Sequence, residues 1–97
     1  MNTTAYIATD RPARYLKQLV SHVGRKIPVE EADGGATFRL SDTAVGAAVV
    51  DGDGLRCTAT AADAETLARV QHVVGGHLIR FMGRDEPVAW TDASQAS

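Results

Sequence analysis

The sequence predicts an α+β fold, a two-layer sandwich with two helices on one face of a mainly antiparallel sheet, in the order β-α-β-β-β-β-α-β. Three observations predict it. Two segments, around Leu16–Val23 and Leu67–Phe81, place apolar residues on a single helical stripe. Between them lie short runs in which apolar and polar residues alternate, separated by Gly- and Asp-rich turns. A helix with one apolar stripe must bury it, and two such helices share one face of a sheet most simply.

Each element has its own signals. Thr4-Ala5-Tyr6-Ile7-Ala8 has strand composition. Thr9 or Asp10 is suited to cap a helix that begins near Pro12, since proline is tolerated in the first turn. Leu16, Leu19, Val20 and Val23 form its apolar stripe, Arg14, Lys17, Ser21 and Arg25 lie largely opposite, and Gly24 ends it. Ile27–Glu31 reads as a strand that sits at an edge or begins with Pro28 outside the ladder, because Pro28 has no N–H to donate. Asp33-Gly34-Gly35 turns into a strand with Ala36, Phe38 and Leu40 on one side. Asp42–Ala44 makes a turn, and Val45–Val50 is an apolar, β-branched strand. After Asp51-Gly52-Asp53-Gly54, Leu55, Cys57 and Ala59 alternate inward. Asp63 caps the second helix, whose stripe is Leu67, Val70, Val74, Leu78 and Phe81, widened by Val73 and Met82, and Gly83 ends it. Pro87–Thr91 reads as a last strand, followed by a polar tail at residues 92–97 that should fray.

At 97 residues the chain is expected to form a single domain, with its ordered core at about residues 4–91. Aromatics are only 5% of the residues, so the core must be built largely from Ala, Val and Leu. No apolar run approaches the roughly 20 residues of a membrane span, no leader pattern is visible, and the lone Cys57 has no disulfide partner. A cytoplasmic protein is expected. The net charge of −2 is unevenly distributed: residues 10–26 hold five basic residues against one acidic. That excess is too small for a nucleic-acid binder but suits a small anionic ligand near the first helix, or neutralisation by the rest of the fold.

Few residues are candidates for chemistry. His77 lies on the apolar stripe of the second helix, three residues past Val74, and His22 flanks the stripe of the first. Two helices side by side would bring these imidazoles together, giving a metal or anion site or a proton-sensitive latch; the plainer account makes each a partly buried packing residue. His72 precedes His77 by five residues, about 140° around an α-helix, so those two should not share a face. Gly75-Gly76 inside a helix costs about 1 kcal/mol per glycine relative to alanine, which suggests close approach by a backbone, a partner or a ligand. Asp51–Gly54 lacks the later ligands of a calcium loop and is a hairpin turn. Cys57 reads as a buried, inert thiol, and Ser21 and Ser41 have no visible triad partners. Arg80, Arg84, Asp85 and Glu86 crowd the end of the second helix, where arginines complement its dipole. No metal and no cofactor are expected, and no catalytic constellation is visible.

Three stretches nevertheless carry a resemblance: Ala8-Thr9-Asp10-Arg11-Pro12-Ala13-Arg14-Tyr15-Leu16-Lys17-Gln18-Leu19; Ser21-His22 with Lys26-Ile27-Pro28-Val29-Glu30; and His77-Leu78-Ile79-Arg80-Phe81 running on to Arg84-Asp85-Glu86. Over about Thr4 to Trp90 the chain resembles the bacterial domain-of-unknown-function family 2218. The resemblance implies histidines at His22 and His77, and a context beside or fused to siderophore-interacting proteins. The family pattern often also has a cysteine where this chain has Val20, a histidine at Arg25 and a cysteine at Ala48; these departures argue against a shared His/Cys metal site.

The expected function is a non-enzymatic binding or accessory domain, linked through the resemblance to iron and siderophore handling. Its ligand-binding candidates are His22, His77, Arg14, Lys17 and Arg80, and its partner a small anion or a siderophore-related protein. The alternative is a homo-oligomeric interaction module, a homodimer for example, that uses the uncovered sheet face.

Overall fold

Strand periodicity and turn chemistry build the sheet seen in the computed structural model, which describes residues 1–93. Its strands are β1 (Asn2–Ala8), β2 (Val29–Ala32), β3 (Gly35–Arg39), β4 (Val45–Val50), β5 (Gly54–Thr60) and β6 (Thr91–Asp92). They form one antiparallel sheet in the order β2-β3-β4-β5-β1-β6. Gly34 (φ 73°) and Gly52 (φ 59°) supply the left-handed backbone that the two tight hairpin turns require. β2 lies at the edge, as Pro28 implies, with Pro28 outside the ladder and only its carbonyl accepting from the Arg39 amide (3.0 Å). The charged pair Glu30-Glu31 on that edge discourages pairing with another chain.

The first helix, α1 (Pro12–Val23), buries Leu16, Leu19 and Val23. Its start differs from expectation. Arg11 occupies the cap position and makes no side-chain capping bond. Thr9 instead holds the approach, its Oγ1 accepting from the Arg11 amide (3.2 Å) and its amide donating to the Asp53 carbonyl (2.9 Å). Pro12 brings no N–H to the first turn, so one donor fewer needs a cap.

The second helical segment is α2 (Ala64–Gln71), a π-helical turn (His72–Gly76) and α3 (His77–Phe81) in one run. Asp63 caps it as expected, accepting from the Thr66 amide at 2.8 Å, and this bond holds the Asp63 carboxyl below its ordinary value. Gly83 (φ 72°) closes it: its amide donates to the Arg80 carbonyl and the Arg84 amide to the Ile79 carbonyl.

Both helices pack on the same sheet face. Leu19, Val74 and Leu78 meet Phe38, Ala48, Leu55 and Cys57, all fully buried, in one cluster; Val70 joins Ala44 and Ala59 in a second. The other face is solvated, as is usual for an antiparallel sheet. A row of small and polar residues crosses it (Thr37, Ala47, Thr58, Thr4), and Arg56 lies over the Tyr6 ring at 4.9 Å from its centroid.

The C-terminal strand is shorter than the sequence suggests. Only Thr91 and Asp92 pair with β1, while Val88 and Trp90 pack against the second helical segment at Gly75. The half-buried side chains of Val88 and Trp90 hold this stretch in place of a ladder, while Pro87 and Ala89 are exposed. Of the tail expected at residues 92–97, Asp92 pairs with Thr3, and residues 94–97 lie outside the described residues.

Close approach of helix to sheet depends on Gly46 of β4. A methyl group there would sit 2.5 Å from Val74 Cγ2 and 3.1 Å from Val70 Cγ1. Gly46→Ala is therefore expected to destabilise the protein by about 1–3 kcal/mol through overpacking, read as a lower urea midpoint at unchanged m. An unchanged midpoint would mean that the helix does not sit on β4 as described.

Candidate functional site

The candidate site forms where α1 meets α3. α1 turns its basic side outward: Arg14, Lys17 and Ser21 recur at intervals of three and four residues and share one face, and Arg25 follows in the turn after the helix. With Gln18 and His22 they line a concavity of about 400 Å³ whose far wall is Phe81 of α3. No acidic residue among the described residues lines it. Among the described residues, the chain's two ion pairs, Arg39–Glu30 and Arg56–Asp51, both lie elsewhere. Arg14, Lys17 and Arg25 thus face solvent with no carboxylate of the described residues against them, and their field favours an anion.

Beside this concavity lies an imidazole cluster. The rings of His22 and His77 meet edge to face, with centroids 4.8 Å apart. Phe81 lies 5.7 Å from His22 and 6.2 Å from His77. The seam between the two helices therefore does bring the two histidines together.

His72 corrects the sequence reading. Its ring centroid lies 5.2 Å from that of His77, although five residues on an α-helix would set them about 140° apart. The π turn is the reason. The His77 amide donates to the His72 carbonyl, a five-residue hydrogen-bond ring that stacks residue 77 over residue 72. Glycines permit this locally. A methyl group at Gly76 would lie 2.7 Å from His72 Nδ1, and one at Gly75 would lie 2.9 Å from Trp90 Cζ2. The glycine pair thus makes room for an imidazole on one side and for the C-terminal segment on the other.

His77 Nδ1 lies 2.8 Å from the Val73 carbonyl oxygen. A carbonyl only accepts, so Nδ1 carries a proton and Nε2 of the neutral ring keeps its lone pair. His77 is half-buried, whereas His22 and His72 are exposed. Despite this proximity, no group of three or more His, Cys, Asp or Glu side chains among the described residues is arranged to hold a metal ion.

Other candidates fall away from the site. Arg80 is exposed on α3 and lines neither this concavity nor the neighbouring one at Ile27 and Val73. Cys57 is fully buried, and desolvation pushes its thiol up to about 12 against the opposing pull of Arg56, so it is protonated and unreactive near neutrality. Sequence reasoning put Ser21 and Arg25 on the outer face of α1 without making them part of a site. Phe81 gave no signal beyond its place on the apolar stripe.

A family model described as "Uncharacterized protein conserved in bacteria (DUF2218)" matches residues 4–91. The chain belongs to this family. The match takes in every residue of the basic concavity and of the imidazole cluster. Among solved structures, the NMR structure of PA4090 from Pseudomonas aeruginosa has a TM-score of 0.79 at 27% identity, covering 95% of this chain and 96% of that one. The DUF2218 chain matches no curated protein. No helix among its described residues is long and apolar enough to cross a membrane.

The hydrogen bond to Val73 generates a spectroscopic prediction. In the neutral ring of His77, ¹⁵N NMR should show Nδ1 protonated and Nε2 bare, the reverse of the tautomer usual for free histidine. A dominant Nε2–H form would contradict the hydrogen bond between His77 and the Val73 carbonyl.

Proposed function

We propose that this chain is a non-enzymatic binding module that takes a small anionic ligand in the basic concavity of α1. The observation that carries the reading is the cluster of Arg14, Lys17 and Arg25 with the Ser21 hydroxyl around one concavity, with no carboxylate of the described residues among its walls. Arginine presents a fork of N–H donors that matches carboxylate and phosphate oxygens, while lysine adds a point charge. His22 supplies a further ring nitrogen at the rim, and Phe81 shields one side from water. Among the described residues no nucleophile is paired with a base at this place, which supports binding over catalysis.

The family resemblance supports a narrower ligand, an iron-carrying anion such as a ferric carboxylate siderophore. Carboxylates left at the periphery of such a complex would meet the arginines. A homo-oligomer formed through the open sheet face is the second reading, favoured by Tyr6 and Val49, which are 42% and 46% exposed. Arg56 stands between them in register, so the apolar patch is small and interrupted by charge. The anion reading therefore has the stronger support.

Thermal unfolding with citrate, inorganic phosphate, ferric citrate and a ferric carboxylate siderophore tests it. A ligand at a hundredfold its Kd adds about 2.7 kcal/mol, which raises the midpoint of a domain this size by roughly 10–20 °C. The combined Arg14→Ala, Lys17→Ala and Arg25→Ala variant should keep the parent midpoint, because all three residues are exposed, yet lose the response. No shift with any anion, or an equal shift in the variant, would sink the reading.

A further inference from the structure

A second concavity, of about 370 Å³, adjoins the basic one and shares two of its walls, His22 and Arg25. Its chemistry is different. Val23, Ile27 and Val73 make its apolar sides, the His77 ring closes one end, and Arg25 and Lys26 stand at its rim. Among the described residues no acidic one lines this groove either.

The groove follows from local folding. After α1 the chain turns back on itself, and the amides of Lys26 and Ile27 both donate to the Val23 carbonyl (3.1 and 3.0 Å). That tight turn returns Ile27 beside Val23, while Arg25 and Lys26 are exposed at its tip. Val73 reaches the groove from the π turn, the same turn that aligns His77 with His72. Two of the apolar walls, Val23 and Ile27, and the cationic rim therefore come from adjoining residues of one short segment, and Val73 completes the floor from the second helical segment.

We infer that the ligand of this module is a carboxylate with an apolar body: its head is held by Arg25, with Arg14 and Lys17 behind it, and its body lies along Val23, Ile27 and Val73. This rests on the reading of the basic concavity given above and extends it from charge to shape. Two features select such a ligand. The shared position of Arg25 places a guanidinium at the mouth of an apolar groove, so one molecule satisfies both. A purely polar anion leaves the groove wet, and a neutral apolar molecule leaves the cations unused. Burying apolar surface beside a charged head adds affinity without altering the charge requirement.

A homologous series of carboxylates (acetate, butanoate, hexanoate and octanoate) tests the inference by titration calorimetry, with citrate as a polar reference. Each methylene that enters the groove should tighten binding about fourfold, so octanoate should exceed butanoate by at least tenfold. Ile27→Ser and Val73→Ser, made separately, should flatten the series while leaving the citrate response intact, which also certifies that each variant is folded. Arg25→Ala should weaken every member. A flat series in the parent protein with citrate still bound would overturn the apolar-body inference and leave the anion module standing. No response to any member or to citrate would overturn both.

Discussion

Val70 and Val74 rest directly on the backbone of β4 at Gly46, and this contact sets the depth at which the second helical segment sits on the sheet. The inward face of the sheet is otherwise built from small side chains (Ala5, Ala36, Ala48, Cys57, Ala59), with Ile7, Phe38 and Leu55 as its bulk. A sheet this smooth lets helices come close, and packing at interior density then fixes their positions to within a methyl group. Once the second helical segment is seated, α3 lies beside α1 and His77 meets His22. The seam is a product of the core, and its polar residues are placed by apolar contacts beneath them.

The π turn is the second constraint. It falls where the helix must satisfy three neighbours at once: the sheet through Val74, the C-terminal segment through Gly75, and the imidazole of His72 through Gly76. The glycine pair costs about 2 kcal/mol of helix propensity, at about 1 kcal/mol per glycine, and the packing of Val88 and Trp90 against Gly75 offsets part of it. In return the helix gains one residue in a single turn, which aligns His72 with His77 and leaves the Val73 carbonyl to accept from His77 Nδ1. π turns of this kind recur at functional sites because they re-aim side chains without breaking the helix.

Most of the fold was legible because its signals are local. Alternation in β3 and β5, the apolar run of β4, proline at the β2 edge, and the stripe Val70-Val74-Leu78 were all readable from neighbouring residues, and all three stripe residues are fully buried. Elements settled by long-range packing were harder to read. Pro87–Trp90 has strand composition, yet its burial comes from the helix, and Thr9 serves the turn before α1 in place of its cap. The imidazole cluster was half legible. His22 and His77 follow from the helical stripes, whereas His72 was set aside by assuming 3.6 residues per turn through a glycine pair. Arg80 lies beside His77 in sequence but outside both concavities, while Arg25 and Phe81 enter through the three-dimensional turn after α1 and the crossing of α3.

All of this turns on the π turn at His72–Gly76, and proton–proton NOEs among the histidine rings test it most directly. The structure predicts ring-to-ring NOEs from His77 to both His72 and His22, since the centroids lie 5.2 and 4.8 Å away. An NOE from His77 to His22 without one to His72 would indicate an unbroken α-helix and contradict the account.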